Sequence, residues 1–191
     1  MIENIWSTPI YHNMIDNVDE INNEIYQNTK SLQYIDVLPD LGEKTHKISN
    51  TFDENFLQKY NLIKTEKMII ENVKKYFSEI YYEYDLNYNI NKIESWMTSF
   101  CRNQYSISHV HGTSNVSGVY YYKSNGEDGN IIFQNFDSLS FSKCFVHYRQ
   151  SWIHKPCVGK ILLFPSCILH YVTQNNTDTE RNSLSFNIFL K

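Results

Sequence analysis

Three histidines in this chain have the type and spacing that a metal site requires. His109 and His111 are separated by one residue in a segment that reads as extended, and alternate side chains of a strand point to the same face. His170 could join them from a distant strand. Neutral imidazole is the commonest transition-metal ligand, and three ligands on one face leave other positions on the metal open for reactants. We therefore expect His109, His111 and His170 to hold a catalytic metal ion.

The surroundings of His170 set it apart from most histidines. It lies in an apolar stretch that is interrupted by a Pro-Ser turn, residues 163–172, which predicts a buried side chain. The alternative is a core histidine bonded to a backbone carbonyl. The remaining histidines have no second histidine two residues away: His12, His46, His147 and His154. We interpret His147 as a packing residue of a strand and His154 as a solvated residue of a proline-containing turn.

An arginine and a serine two positions apart could bind a carboxylate. In a strand, Arg181 and Ser183 share one face, and a guanidinium forms two parallel hydrogen bonds with a carboxylate. Ser185 and Asn187 continue this polar stripe between apolar neighbours, and a polar stripe that faces into a small barrel indicates a lined cavity. The alternative is a surface ion pair between Glu180 and Arg181. The residues thus predict a metal beside an anchored dicarboxylate.

Composition excludes several classes of protein. The chain has 191 residues, enough for one domain with a full hydrophobic core, and a net charge of −4, which argues against binding to nucleic acid. No apolar run approaches the roughly 18 residues of a membrane span, and the first residues lack the features of a signal peptide. The cysteines show no CxxC spacing: Cys101, Cys144, Cys157 and Cys167. We expect them to be reduced, mostly packing residues of a cytoplasmic protein.

Hydrophobic periodicity divides the chain into a helical first part and a strand-rich second part. Apolar residues at helical spacing predict one helix from about residue 18 and a longer one over 62–82, while 36–50 reads as a loop. Alternating runs predict seven strands: 93–100, 117–123, 130–136, 145–152, 160–164, 168–173 and 183–190. Strands at this spacing indicate a β-sandwich or jelly-roll-type barrel. We expect one α+β domain over 1–191, with 1–90 as a mainly helical support packed on one sheet and 91–191 as the β core.

The order and spacing of several motifs resemble a known enzyme superfamily. They are His-Val-His at 109–111, Ser-Gly-Val-Tyr-Tyr-Tyr at 117–122, Gly-Lys-Ile-Leu-Leu-Phe-Pro-Ser at 159–166, His170, and Glu-Arg-Asn-Ser-Leu-Ser-Phe-Asn at 180–187. Together they are similar to the 2-oxoglutarate/iron(II)-dependent dioxygenases of the double-stranded β-helix (jelly-roll) fold, in particular a prolyl-hydroxylase-like branch of phages and marine bacteria. The resemblance covers roughly 96–189, and Trp-Ser-Thr-Pro-Ile at 6–10 adds to it. It implies a protein of the bacterial or phage-infected cytoplasm.

The resemblance also implies a role for individual residues. His109 and His170 match the proximal and distal histidines of the metal triad. Arg181 and Ser183 match the Arg-x-Ser that binds the distal carboxylate of 2-oxoglutarate, and Tyr121 resembles the tyrosine that bonds the same carboxylate. The implied reaction uses iron(II), 2-oxoglutarate and O2, hydroxylates a substrate that the sequence does not identify, and releases succinate and CO2.

One departure from the superfamily concerns the middle ligand. Most members have His-x-Asp or His-x-Glu where this chain has His111, although the narrower branch often carries His-x-His. Three imidazoles leave iron(II) with formal charge +2, whereas two imidazoles and a carboxylate leave +1. His111 could therefore be a direct ligand, or it could lie behind the ligands with water in the third position.

Other functions remain open at the level of sequence. A three-histidine metalloenzyme on a similar barrel would not use 2-oxoglutarate, and a non-enzymatic β-sandwich for binding or structure would hold no stoichiometric metal. The loops at 33–50 and 124–130 are expected to line the entrance, because loops on a rigid barrel usually carry specificity. They contain no recognisable substrate signature, and a homodimer is compatible with the sequence.

Overall fold

The computed structural model describes residues 8–38, 45–49, 55–80, 89–135 and 151–191. Its helices are α1 (Val18–Asn28), α2 (Phe56–Lys59) and α3 (Ile63–Ile80). The first strands are β1 (Tyr11–Met14), β2 (Tyr34–Asp36), β3 (Lys47–Ser49), β4 (Ile90–Phe100) and β5 (Ser106–His109). They are followed by β6 (Val116–Lys123), β7 (Ile131–Gln134), β8 (Ser151–His154), β9 (Lys160–Pro165), β10 (His170–Val172) and β11 (Arg181–Leu190).

The described strands form two antiparallel sheets. The larger has seven strands in the order β1-β9-β6-β11-β4-β3-β2, and the smaller has four in the order β5-β10-β7-β8. The long strand β11 lies at the centre of the larger sheet, between β4 and β6. Helices combined with antiparallel sheets agree with the α+β class that the sequence predicts.

Alternation along β11 divides the interior into two parts. Leu184, Phe186 and Ile188 belong to a hydrophobic cluster that also contains Ile21 and Ile25 of α1 and, from α3, Ile69 and Val73. Side chains of the opposite face of the larger sheet join a second cluster with the smaller sheet: Val119, Tyr121, Ile131, Phe133, Leu162 and Phe164. The polar stripe of β11 therefore points toward the smaller sheet, because side chains alternate along a strand.

The loop expected at 36–50 is wrong in part. Strands β2 and β3 lie at its two ends and pair with each other, and β3 extends the larger sheet by pairing with β4. Three-residue strands give too little alternation to be recognised, and Ile48 is the only buried apolar residue of β3. Residues 39–44, the end of the helix predicted at 62–82 and most of the strand predicted at 145–152 lie outside the described residues. No helix in the described ranges has the length and apolar character needed to cross a membrane.

Candidate active site

Strand pairing brings the three predicted histidines together. His109 at the end of β5 is the register partner of His170 at the start of β10. His111 follows β5, where its backbone N–H donates to the Ser166 carbonyl at 2.8 Å. One ring nitrogen of each of the three histidines lies within 4.8 Å of the other two. The cluster is therefore compact enough for a single ion.

Backbone carbonyls orient two of the imidazoles in the same way. Nδ1 of His109 lies 2.8 Å from the Ile107 carbonyl, and Nδ1 of His170 lies 2.9 Å from the Ile168 carbonyl. A carbonyl only accepts hydrogen bonds, so each Nδ1 donates and each Nε2 keeps its lone pair. This fixed tautomer is typical of metal-binding histidines. The carbonyl-bonded core histidine considered for His170 is thus observed, but within a cluster rather than alone.

Burial favours the neutral form of two of the imidazoles, those of His170 and His111. It lowers the pKa of His170 to about 3 and that of His111 to about 4, and His109 nearby adds to both effects. The His111 ring lies 5.8 Å from the Trp96 ring and 5.2 Å from that of His170. Neutral imidazoles carry the lone pairs that a divalent transition metal needs, so the donor set fits such an ion.

The histidines line a small cavity, of about 70 Å³, which we call the inner cavity; Tyr121, Arg181 and Ser183 line it too. Arg181 is only 2% exposed, and its Nη1 donates to the Gly129 carbonyl at 2.9 Å. Its Nε is buried without a hydrogen-bond partner among the described residues. Burial lowers the pKa of Arg181, against the opposing effects of Tyr121 and Asp128. A buried guanidinium with an unsatisfied N–H beside a cavity fits an anionic ligand.

Tyr121 and Ser183 are register partners on β6 and β11, so they lie side by side on one face. Burial raises the pKa of Tyr121 to about 12, which keeps its phenol protonated and able to donate. The hydroxyl of Ser183 lies 2.7 Å from that of Thr98 on β4. Tyr120 faces the helices and donates to Asn22, as the alternation along β6 predicts.

A larger outer cavity, of about 450 Å³, adjoins the inner one and shares His46, Trp96, His109 and His111 with it. Part of the loop expected at the entrance lines this cavity, including Val37, Leu38 and Ile48. The other expected entrance segment, 124–130, does not contribute to either lining. It instead reaches Arg181 through the Gly129 carbonyl.

Sequence reasoning missed His46, which lines both cavities. Its ring stacks on Phe100 at 4.7 Å, and its Nδ1 is buried without a hydrogen-bond partner among the described residues. Burial and then the charges of His109 and Arg181 lower its pKa to about 4, while the Tyr105 carbonyl opposes them. The spacing of His46 and Ile48, two residues apart, was the available signal, because it places both side chains on one face of a strand. This signal can be used only once β3 is known to be a strand.

Other expectations for single residues need correction. His154 is not a solvated turn residue: it ends β8, and burial lowers its pKa. The described cysteines are exposed rather than packing residues: Cys101, Cys157 and Cys167. Each lies in a turn or loop, where apolar character does not enforce burial. His147, Cys144 and the first two residues of the N-terminal motif at 6–10 lie outside the described residues.

The chain matches one known family by sequence. Residues 94–187 match a sequence model described as "Putative 2OG-Fe(II) oxygenase". Among curated proteins, none matches the chain by sequence.

Three solved structures share its fold. A 2OG-Fe(II) oxygenase family oxidoreductase from Burkholderia pseudomallei is 12% identical over 88% of this chain and 77% of its own, with a TM-score of 0.61. A Pseudomonas putida prolyl-4-hydroxylase is 11% identical over 97% and 94%, with a TM-score of 0.61. A Trichoplax adhaerens prolyl hydroxylase, solved with a hypoxia inducible factor peptide, is 14% identical over 93% and 83%, with a TM-score of 0.59.

At these identities the structural matches establish the fold, the jelly roll of 2-oxoglutarate oxygenases. The sequence match covers the segment that holds all three histidines and Arg181. On these findings the chain belongs to the 2OG-Fe(II) oxygenase family, whose enzymes use iron(II), 2-oxoglutarate and O2.

Proposed function

We propose that this protein, as one oxygenase domain, hydroxylates a C–H bond of an organic substrate and converts 2-oxoglutarate to succinate and CO2. One observation carries the proposal: the histidine cluster and the buried Arg181 guanidinium line the same inner cavity. A metal beside a fixed cation suits a co-substrate that has a chelating end and a distal carboxylate. A three-histidine enzyme that ignores 2-oxoglutarate would have no use for the unsatisfied Nε of Arg181.

In this proposal His109, His111 and His170 hold iron(II) through ring nitrogens. Iron(II) bound there would supply the activation of O2 for oxidation of the substrate at the expense of 2-oxoglutarate. The Ile107 and Ile168 carbonyls fix the tautomer and direction of two of the rings. No carbonyl of the described residues holds the His111 ring in this way, and the segment that carries it is held through its backbone bond to Ser166.

Arg181, Ser183 and Tyr121 bind the distal carboxylate of 2-oxoglutarate. The guanidinium supplies charge-assisted hydrogen bonds, which are strong because burial removes competing water. The protonated phenol of Tyr121 donates without adding negative charge. Ser183 Oγ shares a hydrogen bond with Thr98 Oγ1, and the Ser183 hydroxyl donates to the carboxylate when Thr98 supplies the proton of that bond. The residues act by placement and electrostatics, and no side chain has to transfer a proton.

The outer cavity receives the primary substrate. It opens beside the histidine cluster and contains apolar side chains such as Val37, Leu38 and Ile48. Such walls bury a substrate and keep water away from the reacting carbon. This arrangement separates the two ligands, because the co-substrate occupies the inner cavity and the substrate the outer one.

The decisive experiment is turnover of 2-oxoglutarate by protein that has been loaded with iron(II) without oxygen. On addition of O2, we expect succinate to form in proportion to the 2-oxoglutarate consumed, slowly without substrate and faster with it. Protein loaded with zinc is the control and should form none. Stoichiometric iron without any succinate would favour the three-histidine alternative, and failure to retain iron would remove the metal site.

A further inference from the structure

One acidic side chain lines the outer cavity, beside hydroxyl, amide, imidazole and apolar side chains. Among the described residues that line it, Glu94 is the only side chain of the Asp, Glu, Lys and Arg types. The remaining wall includes the indole of Trp96 and the aliphatic side chains of Ile48 and Ile107. A carboxylate that lines a cavity favours a ligand of opposite charge, because desolvation on binding is less costly when the charge is paired.

The two adjoining cavities therefore have opposite charge character. In the described part of the chain, the inner lining has Arg181 as its only side chain of these four types. An anion is favoured there, while an anion in the outer cavity would meet the Glu94 carboxylate. Charge alone can thus direct the dianionic co-substrate and a substrate of different charge to separate places.

Glu94 lies near an aromatic residue of the cavity and already pairs with a lysine at the surface. Glu94 and Trp96 are two residues apart on β4 and line the same cavity. Oε1 of Glu94 lies 2.6 Å from Nζ of Lys92, whose side chain is 60% exposed. The carboxylate thus already accepts an ammonium group, and it does so on the solvent side. Such an exposed ion pair contributes about 0–1 kcal/mol, so a ligand can compete with Lys92.

A carboxamide stands beside this carboxylate. Asn187 on β11 is the register partner of Glu94 and lines the outer cavity as well. The hydroxyl of Ser117 donates to Oδ1 of Asn187 at 2.8 Å, which fixes the orientation of the amide. The Nδ2 donor of Asn187 remains for a neutral acceptor on the ligand, next to the negative charge of Glu94.

We propose that the primary substrate carries a cationic nitrogen, an ammonium or guanidinium group, on an apolar stem. The cation pairs with Glu94 and contacts the face of Trp96, which attracts cations through its ring quadrupole. The stem lies along the aliphatic wall toward the histidine cluster, where the reacting carbon is held. This inference rests on the proposed function, since it assigns the outer cavity to the substrate.

The test is calorimetric binding of three probes with the same carbon chain: n-hexylammonium, 1-hexanol and hexanoate. The protein is loaded with zinc and 2-oxoglutarate, so that binding is measured without turnover. We expect hexylammonium to bind most tightly and hexanoate most weakly. Glu94→Gln should weaken hexylammonium about tenfold and leave hexanol unchanged. Lys92→Gln should strengthen hexylammonium up to about fivefold, because it removes the competing ammonium.

Glu20→Gln is the matched control, because Glu20 on α1 also pairs with a lysine, Lys64, at the surface. It should change none of the three affinities. Equal binding of hexylammonium and hexanol, or an unchanged hexylammonium affinity in Glu94→Gln, would overturn the inference. These results do not depend on succinate formation. An oxygenase that turns over 2-oxoglutarate but shows no cation preference would refute this inference alone, whereas a cation preference without turnover would refute the proposed function.

Discussion

His109 and His170 are direct register partners across β5 and β10, and their ring centroids lie 4.4 Å apart. Both Nδ1 atoms bond to the carbonyl two residues earlier in the chain. The pairing therefore fixes the separation of the two rings, and the local hydrogen bonds fix their tautomers. A slip of one residue in this register would turn one ring to the opposite face of the sheet.

Replacing His109 or His170 with Ala should abolish stoichiometric iron binding, because two imidazoles cannot complete the facial site. Iron per chain is measured after anaerobic loading, with zinc and nickel measured in parallel because such sites bind these ions more tightly than iron. His12→Ala is the control, since His12 lies on β1 outside the cluster. Full iron occupancy in both variants would show that the metal lies elsewhere.

Arg181→Leu should weaken 2-oxoglutarate binding by about two orders of magnitude, since a desolvated charge-assisted contact contributes about 3 kcal/mol. Ser183→Ala should cost about 1 kcal/mol. Affinity is measured by titration of the zinc-loaded protein, with circular dichroism to verify folding, because Arg181 also bonds to Gly129. Arg102→Leu removes only a surface pair with Asp178 and should have no effect. Unchanged affinity in Arg181→Leu would refute the carboxylate assignment while leaving the metal site intact.

Substitutions of His111 test whether it is a direct ligand. If it is, His111→Asp should retain iron and part of the 2-oxoglutarate turnover, because it restores the carboxylate that is commoner in the superfamily. His111→Ala should lose more of both, having lost the third protein ligand. Iron affinity and succinate formation are measured for the two variants together. Should His111→Ala equal the parent protein in both, His111 is not a ligand and the site has two histidines.

The low pKa of His46 predicts a dependence of stability on pH. Its pKa is about 4 in the fold and about 6.5 in the unfolded chain. Between these values the unfolded state binds the extra proton, so the stabilisation is complete above about pH 6.5 and is lost as pH falls toward 4. His46→Phe should reduce the slope of unfolding free energy by about 1.4 kcal/mol per pH unit in this window.

This measurement uses urea unfolding of the metal-free protein at several pH values between 4 and 7. Phenylalanine keeps a ring on Phe100, whose stacking with His46 is nearly parallel at 6°. If the slope of unfolding free energy with pH is unchanged in His46→Phe, the fold does not lower the pKa of His46 and this prediction is wrong.

Gly118→Ala should destabilise the fold by about 2–3 kcal/mol through overpacking. A Cβ at Gly118 on β6 would overlap ring carbons of Phe186 and lie 2.8 Å from the Leu162 carbonyl oxygen. The carbonyl belongs to the backbone of the neighbouring strand and cannot move aside easily. Gly112→Ala is the matched control, since a Cβ there meets nothing within 4 Å. The denaturant midpoint is compared for both, and equal midpoints would contradict the close packing of β6 on Phe186.

Several features of the fold follow from local sequence. Alternation along 183–190 predicts a strand with an apolar face, and the structure has β11 over Arg181–Leu190 with Leu184 and Phe186 buried. Apolar residues at helical spacing likewise predict α3, and in the structure its residues Ile69 and Val73 are buried. The three-residue strands β2 and β3 could not be predicted, because they depend on pairing with β4 rather than on a pattern of their own.

By itself, the sequence determined which residues could do chemistry: the pair His109 and His111, the isolated His170, and Arg181 two residues before Ser183. Short-range alternation fixes which side chains share a face, so these candidates could be read directly. Only the tertiary structure decided that His170 meets His109, and that His46 and Glu94 line the cavities beside them. Those relationships depend on which strands pair and in what register, and pairing between distant segments leaves no periodic signal in one sequence.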